Sequence, residues 1–456
     1  MMLRSRILKA HPTSLVLASF LLAIAVGAVL LMLPVSTKVG SIPLIDALFT
    51  ATSAVCVTGL VVVDTGSYFT VFGQCVILAL IQIGGLGVMT ISVALFRWIG
   101  RSISFRQRMA MQDLFAHTPR EDIFGLVKSI VLFTLGAEII GAVFLSIHWS
   151  QELPFLRAVY TAIFHSVSAF CNAGFSLFSD SMMRYRDDLL LNIVMCSLII
   201  FGGIGFPVLY DLQSWIVSRK EKRVRLSIQT KTVLSTTLIL IVSGALLFAF
   251  LEQQALMEAQ SLPHRILAPV FQSITCRTAG FNTVDIASLK DATLVMMIFL
   301  MFFGASPGSC GGGVKTTTLA LIAVFTLSRI RKRHRVNMFR KSIPAETVTR
   351  SVSLILVSIG IIGAVLFLLL VGDSANNRGV QGHHGFFLAY LYETVSAFGT
   401  VGLSMGVTSK LSAWGKFWII FMMIIGRVGV LTFSYIIVGT GTNNGIEYSE
   451  ENLMIG

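Results

Sequence analysis

Long apolar stretches separated by short basic segments give the chain a repeating pattern of hydrophobic and polar positions. Each repeat starts with an apolar run that approaches the roughly 20 residues needed to cross a bilayer as a helix. A shorter semi-apolar run and a glycine-containing segment follow, and a second long apolar run completes the unit. The pattern predicts four parallel units, each made of a membrane span, a half-length helix ending in a pore loop, and a second span.

The four predicted repeats follow one another with similar lengths. They cover residues 12–96, 125–212, 232–327 and 351–438, and a short cytoplasmic tail follows at 439–456. The half-length helices are predicted at 44–55, 158–170, 265–275 and 386–397, and the second spans at 72–96, 189–212, 291–327 and 415–438. The predicted fold class is an all-α polytopic membrane protein, with eight full transmembrane helices and four half helices around a central ion pore. Irregular backbone at membrane depth is tolerated where it is buried in protein or lines water, so the four loops are expected to face one another.

A short motif with a serine and a glycine recurs at the end of each half-length helix. It reads S-A-V-C-V-T-G-L from Ser53, S-A-F-C-N-A-G-F from Ser168, S-I-T-C-R-T-A-G-F from Ser273 and S-A-F-G-T-V-G-L-S from Ser396. The glycine follows the serine by six residues in three copies, and the third copy has one extra residue. Thr-Val-Gly is the core of the potassium-channel filter, in which backbone carbonyls replace the hydration shell of the ion. Four copies in one chain therefore predict a ring of loops and selective cation permeation.

The second span of the third repeat contains a glycine-rich interruption. Five glycines and one proline lie within residues 304–313, a composition that does not sustain a continuous helix. We therefore expect an intramembrane segment below the pore loops, with Lys315 near its end. A phosphate-binding loop is disfavoured, because Val314 separates the last glycine from the lysine and no strand precedes the segment. A simple kink is the remaining alternative, and it does not require so many glycines.

Charged side chains within the apolar segments leave several interpretations open. Arg427 lies in the middle of an apolar run, where a bare cation costs several kcal/mol. It either forms an electrostatic barrier to cations beside the glycine-rich segment, or pairs with a carbonyl or an acid. Asp46 and Glu393, on half-length helices, either attract cations or hydrogen-bond to neighbouring helix ends, and Glu138 is expected to have a partner. The second spans carry glycines at related depth, beginning at positions 84, 202, 304 and 426. In the first two copies, close packing and an open pore explain these glycines equally well.

Composition and the placement of charge support a membrane protein. Of the 456 residues, 55% are hydrophobic and 12% are charged, whereas a soluble protein carries about twice that charged fraction. The net charge is +13, and 23 of the 35 Lys and Arg residues lie in segments 1–10, 97–128, 219–231 and 329–350. Basic residues in alternate short loops mark the cytoplasmic side, so both termini are expected there and no nucleic-acid partner is expected. The six cysteines show no paired metal spacing, and we expect buried thiols.

Together, the four span–pore–span units, one glycine per unit and the glycine-rich break resemble the Trk/Ktr/HKT superfamily of potassium transporters. The resemblance covers nearly the whole chain, and the length and short tails are most similar to the membrane subunit of the Ktr branch. It implies potassium uptake across the bacterial inner (plasma) membrane, often sodium-dependent, by a homodimer with one pore in each subunit. It also implies docking on a ring of cytosolic KtrA-type regulators that bind nucleotides. No covalently bound cofactor is expected.

The resemblance also assigns roles to individual residues. It implies that K⁺ binds to the filter carbonyls of Val57, Thr58, Gly59, Asn172, Ala173, Gly174, Thr278, Ala279, Gly280, Thr400, Val401 and Gly402. The implied gate comprises residues of the segment 304–316 and one neighbour, namely Gly304, Gly308, Gly311, Gly312, Gly313, Lys315 and Arg427. Only the fourth copy keeps Thr-Val-Gly, and Asn172 replaces threonine in the second, so we expect fewer ion sites than in a channel filter.

Other functional classes fit the sequence less well. An alternating-access sodium/potassium symporter is the main alternative, but such transporters often show inverted repeats, whereas the predicted repeats here run parallel. A voltage-gated channel is disfavoured because no span carries a regular arginine ladder. An enzyme is not expected, since no nucleophile–base pair or metal cluster recurs in the spans.

Overall fold

The computed structural model describes residues 12–87, 123–217, 226–258, 261–333, 335–376 and 385–429. Its first half consists of long and half-length helices joined by short loops. In the first predicted repeat the main helices are α1 (Pro12–Met32), α2 (Leu44–Val55) and α3 (Val71–Leu86), and a single helical turn, Thr65–Tyr68, precedes α3. In the second they are α4 (Ile123–Trp149), α5 (Phe155–Phe170), α6 (Leu189–Ile204) and α7 (Phe206–Val217).

The second half has the same order of helices and adds a small hairpin. In the third predicted repeat the main helices are α8 (Ile228–Leu251), α9 (Leu262–Thr275), α10 (Asp291–Phe302) and α11 (Thr316–Ile330), and a short helix, Gln253–Glu258, follows α8. Two antiparallel strands follow, β1 (Val336–Met338) and β2 (Lys341–Ile343). In the fourth they are α12 (Ala345–Asn376), α13 (Phe386–Gly399) and α14 (Ala413–Val428).

Side-chain caps determine where three of the later helices begin. The side chains of Thr70, Asp188 and Ser412 each accept a hydrogen bond from the backbone N–H three residues further on. Such a cap satisfies a donor that the first turn of a helix leaves unpaired, and it contributes about 1 kcal/mol. The apolar helices α3, α6 and α14 therefore start at defined positions after the loops that precede them.

Three helical segments of the described chain are long and apolar enough to cross a membrane. They are Val127–Trp149, Ile228–Leu251 and Ala345–Gly372, and the bent pair Leu189–Ile204 and Phe206–Ile216 makes a fourth if it counts as one span. The remaining apolar helices are shorter. The predicted second spans extend into residues 88–96 and 430–438, which lie outside the described residues together with the tail at 439–456. The count of eight full spans stays a prediction.

The second span predicted over 189–212 is not one straight helix. Between Ile204 and Phe206 the helix axis turns by 98°. Gly205 lies at the bend with φ of +98°, a backbone conformation that only glycine adopts without strain. The helices α3 and α14 also end at a glycine with positive φ, at Gly87 and Gly429. The interruption expected only in the third predicted repeat therefore has counterparts elsewhere.

The half-length and later helices pack in a closed cycle. The later helix α3 contacts α5, α6 contacts α9, α10 contacts α13, and α14 contacts α2. Each later helix thus supports the half-length helix of the next predicted repeat, and the last of them returns to the first. This order of contacts brings the ends of α2, α5, α9 and α13 towards one another.

An ion pair joins the two ends of this cycle. Lys416 on α14 and Asp46 on α2 are 2.5 Å apart between Nζ and Oδ1, and their side chains are 13% and 14% exposed. Asp46 was expected either to attract cations or to hydrogen-bond, and the structure places it in this pair. Because both charges are largely removed from water, each depends on the other.

Replacing Asp46 with asparagine is expected to lower the free energy of unfolding by about 3 kcal/mol, because it leaves the Lys416 ammonium buried without its partner. The doubly reversed variant, Asp46→Lys with Lys416→Asp, is expected to recover most of the loss. Thermal unfolding of the purified protein measures both. The matched control is Asp180→Asn, which breaks the exposed pair with Arg184 and is expected to cost less than about 1 kcal/mol. Equal losses at the two sites would contradict the role of burial.

Candidate functional site

The four segments that follow the half-length helices share an unusual backbone conformation. Two residues before the motif glycine, φ is +56° at Val57, +57° at Asn172, +77° at Thr278 and +49° at Thr400. The glycines themselves have φ of +90° at Gly59, +70° at Gly174, +79° at Gly280 and +92° at Gly402. Positive φ costs a β-branched residue energy, and such strain persists only where the surroundings impose it. The recurrence in all four copies indicates a common structural requirement.

These segments, residues 57–59, 172–174, 278–280 and 400–402, meet in what we call the four-loop ring. A Cβ atom added to Gly59 would lie 2.5 Å from the Ala173 carbonyl oxygen. The same atom on Gly174 would lie 2.9 Å from the Ala279 oxygen, and on Gly280 2.5 Å from the Val401 oxygen. On Gly402 it would overlap the Thr58 carbonyl, which closes the cycle. The structure thus brings together all twelve residues of the predicted filter, each glycine against the next loop.

Hydroxyl groups of the half-length helices hold the ring from behind. The Oγ atoms of Ser53 and Ser396 each accept a hydrogen bond of 3.1 Å, from the N–H of Gly59 and Gly402 respectively. In the second copy Ser168 Oγ donates to the Phe175 carbonyl at 2.8 Å. The backbone geometry of the loops is therefore fixed by side chains within the motif.

The third copy uses a different residue from the one that the sequence motif indicates. Thr275 Oγ1 donates to the Phe281 carbonyl at 2.6 Å, as Ser168 does to the equivalent carbonyl in the second copy. Ser273 instead donates to the Ile241 carbonyl of α8 at 2.9 Å. The extra residue between Ser273 and Gly280 is therefore accommodated by moving the anchoring hydroxyl to Thr275, at the end of α9.

Polar side chains one helical turn before these hydroxyl residues connect the half-length helices to the chain that follows each motif glycine. His165 Nε2 lies 3.0 Å from Ser176 Oγ, and Gln272 Nε2 donates to Thr283 Oγ1 at 3.4 Å. In the fourth copy the Thr408 hydroxyl donates to Glu393, which is fully buried. Glu393 is therefore a support of the fourth loop, the second of the two interpretations that its sequence position allowed.

Truncation of Glu393 to alanine is expected to cost about 2 kcal/mol of stability. It removes the buried acceptor of the Thr408 hydroxyl, which then keeps only Ser404 Oγ, at 3.1 Å, as a partner. If the ring selects ions, as the sequence predicts, the variant is also expected to lower the preference for potassium over sodium, since the fourth loop loses this support. Glu393→Gln keeps an acceptor for Thr408 and is expected to behave like the unchanged protein. Thermal unfolding and rubidium and sodium uptake by vesicles measure the two effects. Glu346→Ala, at an exposed carboxylate, is the control, and a Gln variant as damaged as the Ala variant would contradict this role.

The glycine-rich segment 304–316 packs directly against the four-loop ring. The Gly312 N–H donates to Thr400 Oγ1 at 2.8 Å, and the Gly313 N–H donates to the Gly426 carbonyl at 3.2 Å. A Cβ atom on Gly311 would overlap Thr278 Oγ1. The glycines therefore allow an approach to the ring that side chains would prevent, and a simple kink does not describe this segment.

Further contacts join this segment to the later helices. The N–H groups of Ser306 and Cys310 donate to the carbonyls of Gly203 and Gly202, both at 3.1 Å. The Phe206 N–H donates to the Gly308 carbonyl at 2.9 Å. The bend between α6 and α7 is thus filled by the segment from the third predicted repeat.

Two cations are satisfied by backbone carbonyls around the same segment. Lys315 Nζ donates to the Gly311 carbonyl at 2.8 Å. The Arg427 guanidinium donates to the carbonyls of Cys310, within the segment, and Gly84, in α3. Carbonyl pairing is one of the two interpretations left open for Arg427, and it offsets the cost of burying the charge. The seven predicted gating residues therefore lie in one contiguous network.

Glu138 has the partner expected of a carboxylate inside a span, since Gln82 Nε2 donates to its Oε2 at 3.2 Å.

Arg277 was missed by the sequence analysis, although it directly precedes Thr278 of the four-loop ring. Its side chain is buried and donates to Thr237 Oγ1 at 3.3 Å. The signal that could have found it is the C-R-T-A-G order of the third motif, in which arginine stands beside the loop.

Comparisons with known proteins agree with this geometry. The family model described as TrkH, cation transport protein, matches residues 7–439. The chain is 41% identical to Ktr system potassium uptake protein B of Vibrio alginolyticus, over 97% of this chain and 94% of the relative. It is 35% identical to potassium/sodium uptake protein NtpJ of Enterococcus hirae, over 98% and 97% respectively.

A solved structure also matches the fold. The potassium transporter TrkH from Vibrio parahaemolyticus superposes with a TM-score of 0.71, at 18% identity, covering 94% of this chain and 85% of that chain. At this identity the match is informative about the fold alone. The extent of the family match and the identity to the curated relatives are decisive: the chain belongs to the TrkH family of cation transport proteins.

Proposed function

We propose that this protein takes up potassium across the bacterial plasma membrane, with the four-loop ring as its selectivity filter. The observation that carries this proposal is the cyclic contact of Gly59, Gly174, Gly280 and Gly402, each against the carbonyl that precedes the next glycine. Rings of backbone carbonyls replace the hydration shell of a dehydrated ion. The printed names of the relatives, which describe potassium uptake, point to the same ion.

The glycine-rich segment is proposed to act as the gate of this pathway. It contacts two residues of the ring, Thr278 and Thr400, and Arg427 holds it there through the Cys310 carbonyl. Lys315 bonds within the segment, to the Gly311 carbonyl. The segment is rich in glycine and is held to its neighbours by a few hydrogen bonds. It is therefore able to move without the unfolding of a helix. Permeation then requires the segment to leave the ring, and selectivity stays with the carbonyls.

The remaining features of the proposal concern assembly and orientation. The eight full spans and four half helices form four parallel repeats, with both termini on the cytoplasmic side, as the basic loops indicate. The transporter is a homodimer that docks on a cytosolic ring of KtrA-type, nucleotide-binding regulators. Sodium dependence is supported by the name of the Enterococcus hirae relative, which includes sodium.

Uptake of potassium, rubidium and sodium into proteoliposomes that contain only this chain tests the function. A filter predicts that potassium and rubidium enter down their own gradients, that sodium raises the rate of this uptake without entering in a fixed ratio to potassium, and that sodium itself enters more slowly. The alternative, an alternating-access symporter, predicts a fixed ratio of sodium to potassium and no potassium uptake without sodium. Strict stoichiometric coupling would overturn the filter mechanism.

A further inference from the structure

A cavity of about 630 Å³ lies away from the ion pathway, between the end of α11, the hairpin β1–β2 and the start of α12. The polar part of its wall is made by two arginines and three hydroxyl residues, which are Arg329, Arg335, Ser342, Thr349 and Ser353. The rest of the wall is apolar and includes Phe325 and Val352. No carboxylate lines this cavity among the described residues.

The wall is a built structure, because a small hydrophobic cluster fixes the hairpin to both helices. Leu321 of α11, Val336 of β1 and Val348 of α12 are buried against one another. The guanidinium of Arg329 lies 5.2 Å from the centre of the Phe325 ring, a cation–π contact that holds it at the cavity. The cavity therefore keeps its shape and its positive charge together.

The positive charge around the cavity is not neutralised within the described chain. Residues 329–341 contain seven Lys and Arg and no Asp or Glu. None of these seven forms an ion pair with a carboxylate of the residues that the structure describes. Arg350 is different, since it pairs with the exposed Glu346 and does not line the cavity. An anionic ligand is the natural complement of such a site.

The length of α12 places the cavity at the level of lipid headgroups. The apolar segment Ala345–Gly372 has 28 residues, so it is about 42 Å long, whereas the hydrocarbon core is about 30 Å thick. At its far end Trp414 packs on Gly372 and donates to the Leu368 carbonyl, as expected for an aromatic residue at the opposite interface. The excess length therefore falls on the first turns of α12, which line the cavity.

We propose that this cavity binds an anionic phospholipid of the cytoplasmic leaflet, and this inference goes beyond ion transport itself. The phosphate faces Arg329 and Arg335, and the hydroxyls of Ser342, Thr349 and Ser353 surround the headgroup. An acyl chain follows the apolar wall formed by Phe325 and Val352. A soluble anion makes no favourable contact with that apolar wall. A zwitterionic lipid has no net charge, so its electrostatic attraction to the unpaired arginines is weaker.

Native mass spectrometry of the full chain, supplied with equal amounts of phosphatidylglycerol and phosphatidylcholine, tests the proposal. We expect selective retention of phosphatidylglycerol, reduced about 25-fold in the variant Arg329→Ala/Arg335→Ala, because each basic residue near a headgroup contributes about a five-fold factor. Arg350→Ala, which removes a paired arginine outside the cavity, is the matched control and is expected to retain the lipid normally. Ser353→Trp keeps both arginines but fills the cavity, and it is expected to release phosphatidylglycerol as well.

Three outcomes would overturn the proposal. One is equal retention of phosphatidylglycerol by the double-alanine variant and the Arg350→Ala control. Another is stabilisation of the purified protein by millimolar inorganic phosphate as strong as that by phosphatidylglycerol, since this would indicate a site for a soluble anion. The third is a double-alanine variant that binds the lipid normally but loses a soluble protein partner. If the double variant does not fold, Ser353→Trp, which changes no charge, takes its place: retention of phosphatidylglycerol equal to that of Arg350→Ala would then overturn the proposal.

Discussion

Replacing Gly402 with serine is expected to bring the ratio of potassium to sodium uptake to about one, because the added side chain enters the ring of carbonyls that is proposed to select the ion. A Cβ atom at this position overlaps the Thr58 carbonyl and lies 2.9 Å from the Cα atom of Gly59. The clash is with backbone, so no rotamer change relieves it. Rubidium and sodium uptake by proteoliposomes, measured in parallel, gives the ratio.

The chain provides a matched control for this substitution. Gly406 lies four residues further on, with φ of +78°, and a Cβ atom there has nothing within 4 Å. Gly406→Ser thus imposes a similar backbone strain without entering the ring, and it is expected to leave the selectivity unchanged. Unchanged selectivity in Gly402→Ser, or equal loss in both variants, would remove the assignment of the four-loop ring as the filter.

Substitution of Arg427 by glutamine is expected to raise the flux of potassium at least about tenfold while leaving the selectivity unaltered. The guanidinium holds the glycine-rich segment through the Cys310 carbonyl and is itself fixed by the Gly84 carbonyl. A hydrogen bond to a charged group contributes about 1.5–3 kcal/mol, so its loss shifts the segment towards the open arrangement by a tenfold factor or more. Initial rates of rubidium uptake at equal protein density measure the effect.

Shortening the segment within residues 305–313 is expected to act in the same direction, since it withdraws the contact between Gly312 and Thr400. Lys410→Gln is the control for Arg427→Gln, because Lys410 is an exposed cation that lies just before the start of the same helix. Variants that fold normally but transport nothing would show that the segment is structural and would reject its role as a gate.

Local pattern was sufficient for the half-length helices. The first was predicted from Leu44 to Val55, and α2 has these bounds; the fourth was predicted at 386–397, and α13 ends two residues later, at Gly399. Such helices are bounded by short-range signals, with a proline, a glycine or the capping Ser261 before them and the motif after them. The twelve residues of the proposed filter were found in the same way, because a motif repeated four times is visible without coordinates.

Features that depend on contacts between residues far apart in the chain could not be predicted from the sequence. A glycine-containing sequence such as the one before Gly205 is compatible with a straight, closely packed helix and with a broken one. What distinguishes the two is a hydrogen bond from Phe206 to the carbonyl of Gly308, which lies in another predicted repeat. The two interpretations of Arg427 were left open for the same reason, since its acceptors are 117 and 343 residues away in the chain. Thr275 took the place of Ser273 because the helix end shifted with the extra residue.

The closed cycle of helices, from α3 and α5 round to α14 and α2, is made within a single polypeptide. A ring assembled from four identical subunits would show every substitution four times, and it would dissociate on dilution. Here each predicted repeat is encoded separately, so a substitution alters one of the four loops and leaves the other three unchanged. Asymmetric features such as Asn172, Arg277 and the glycine-rich segment are therefore open to selection one at a time.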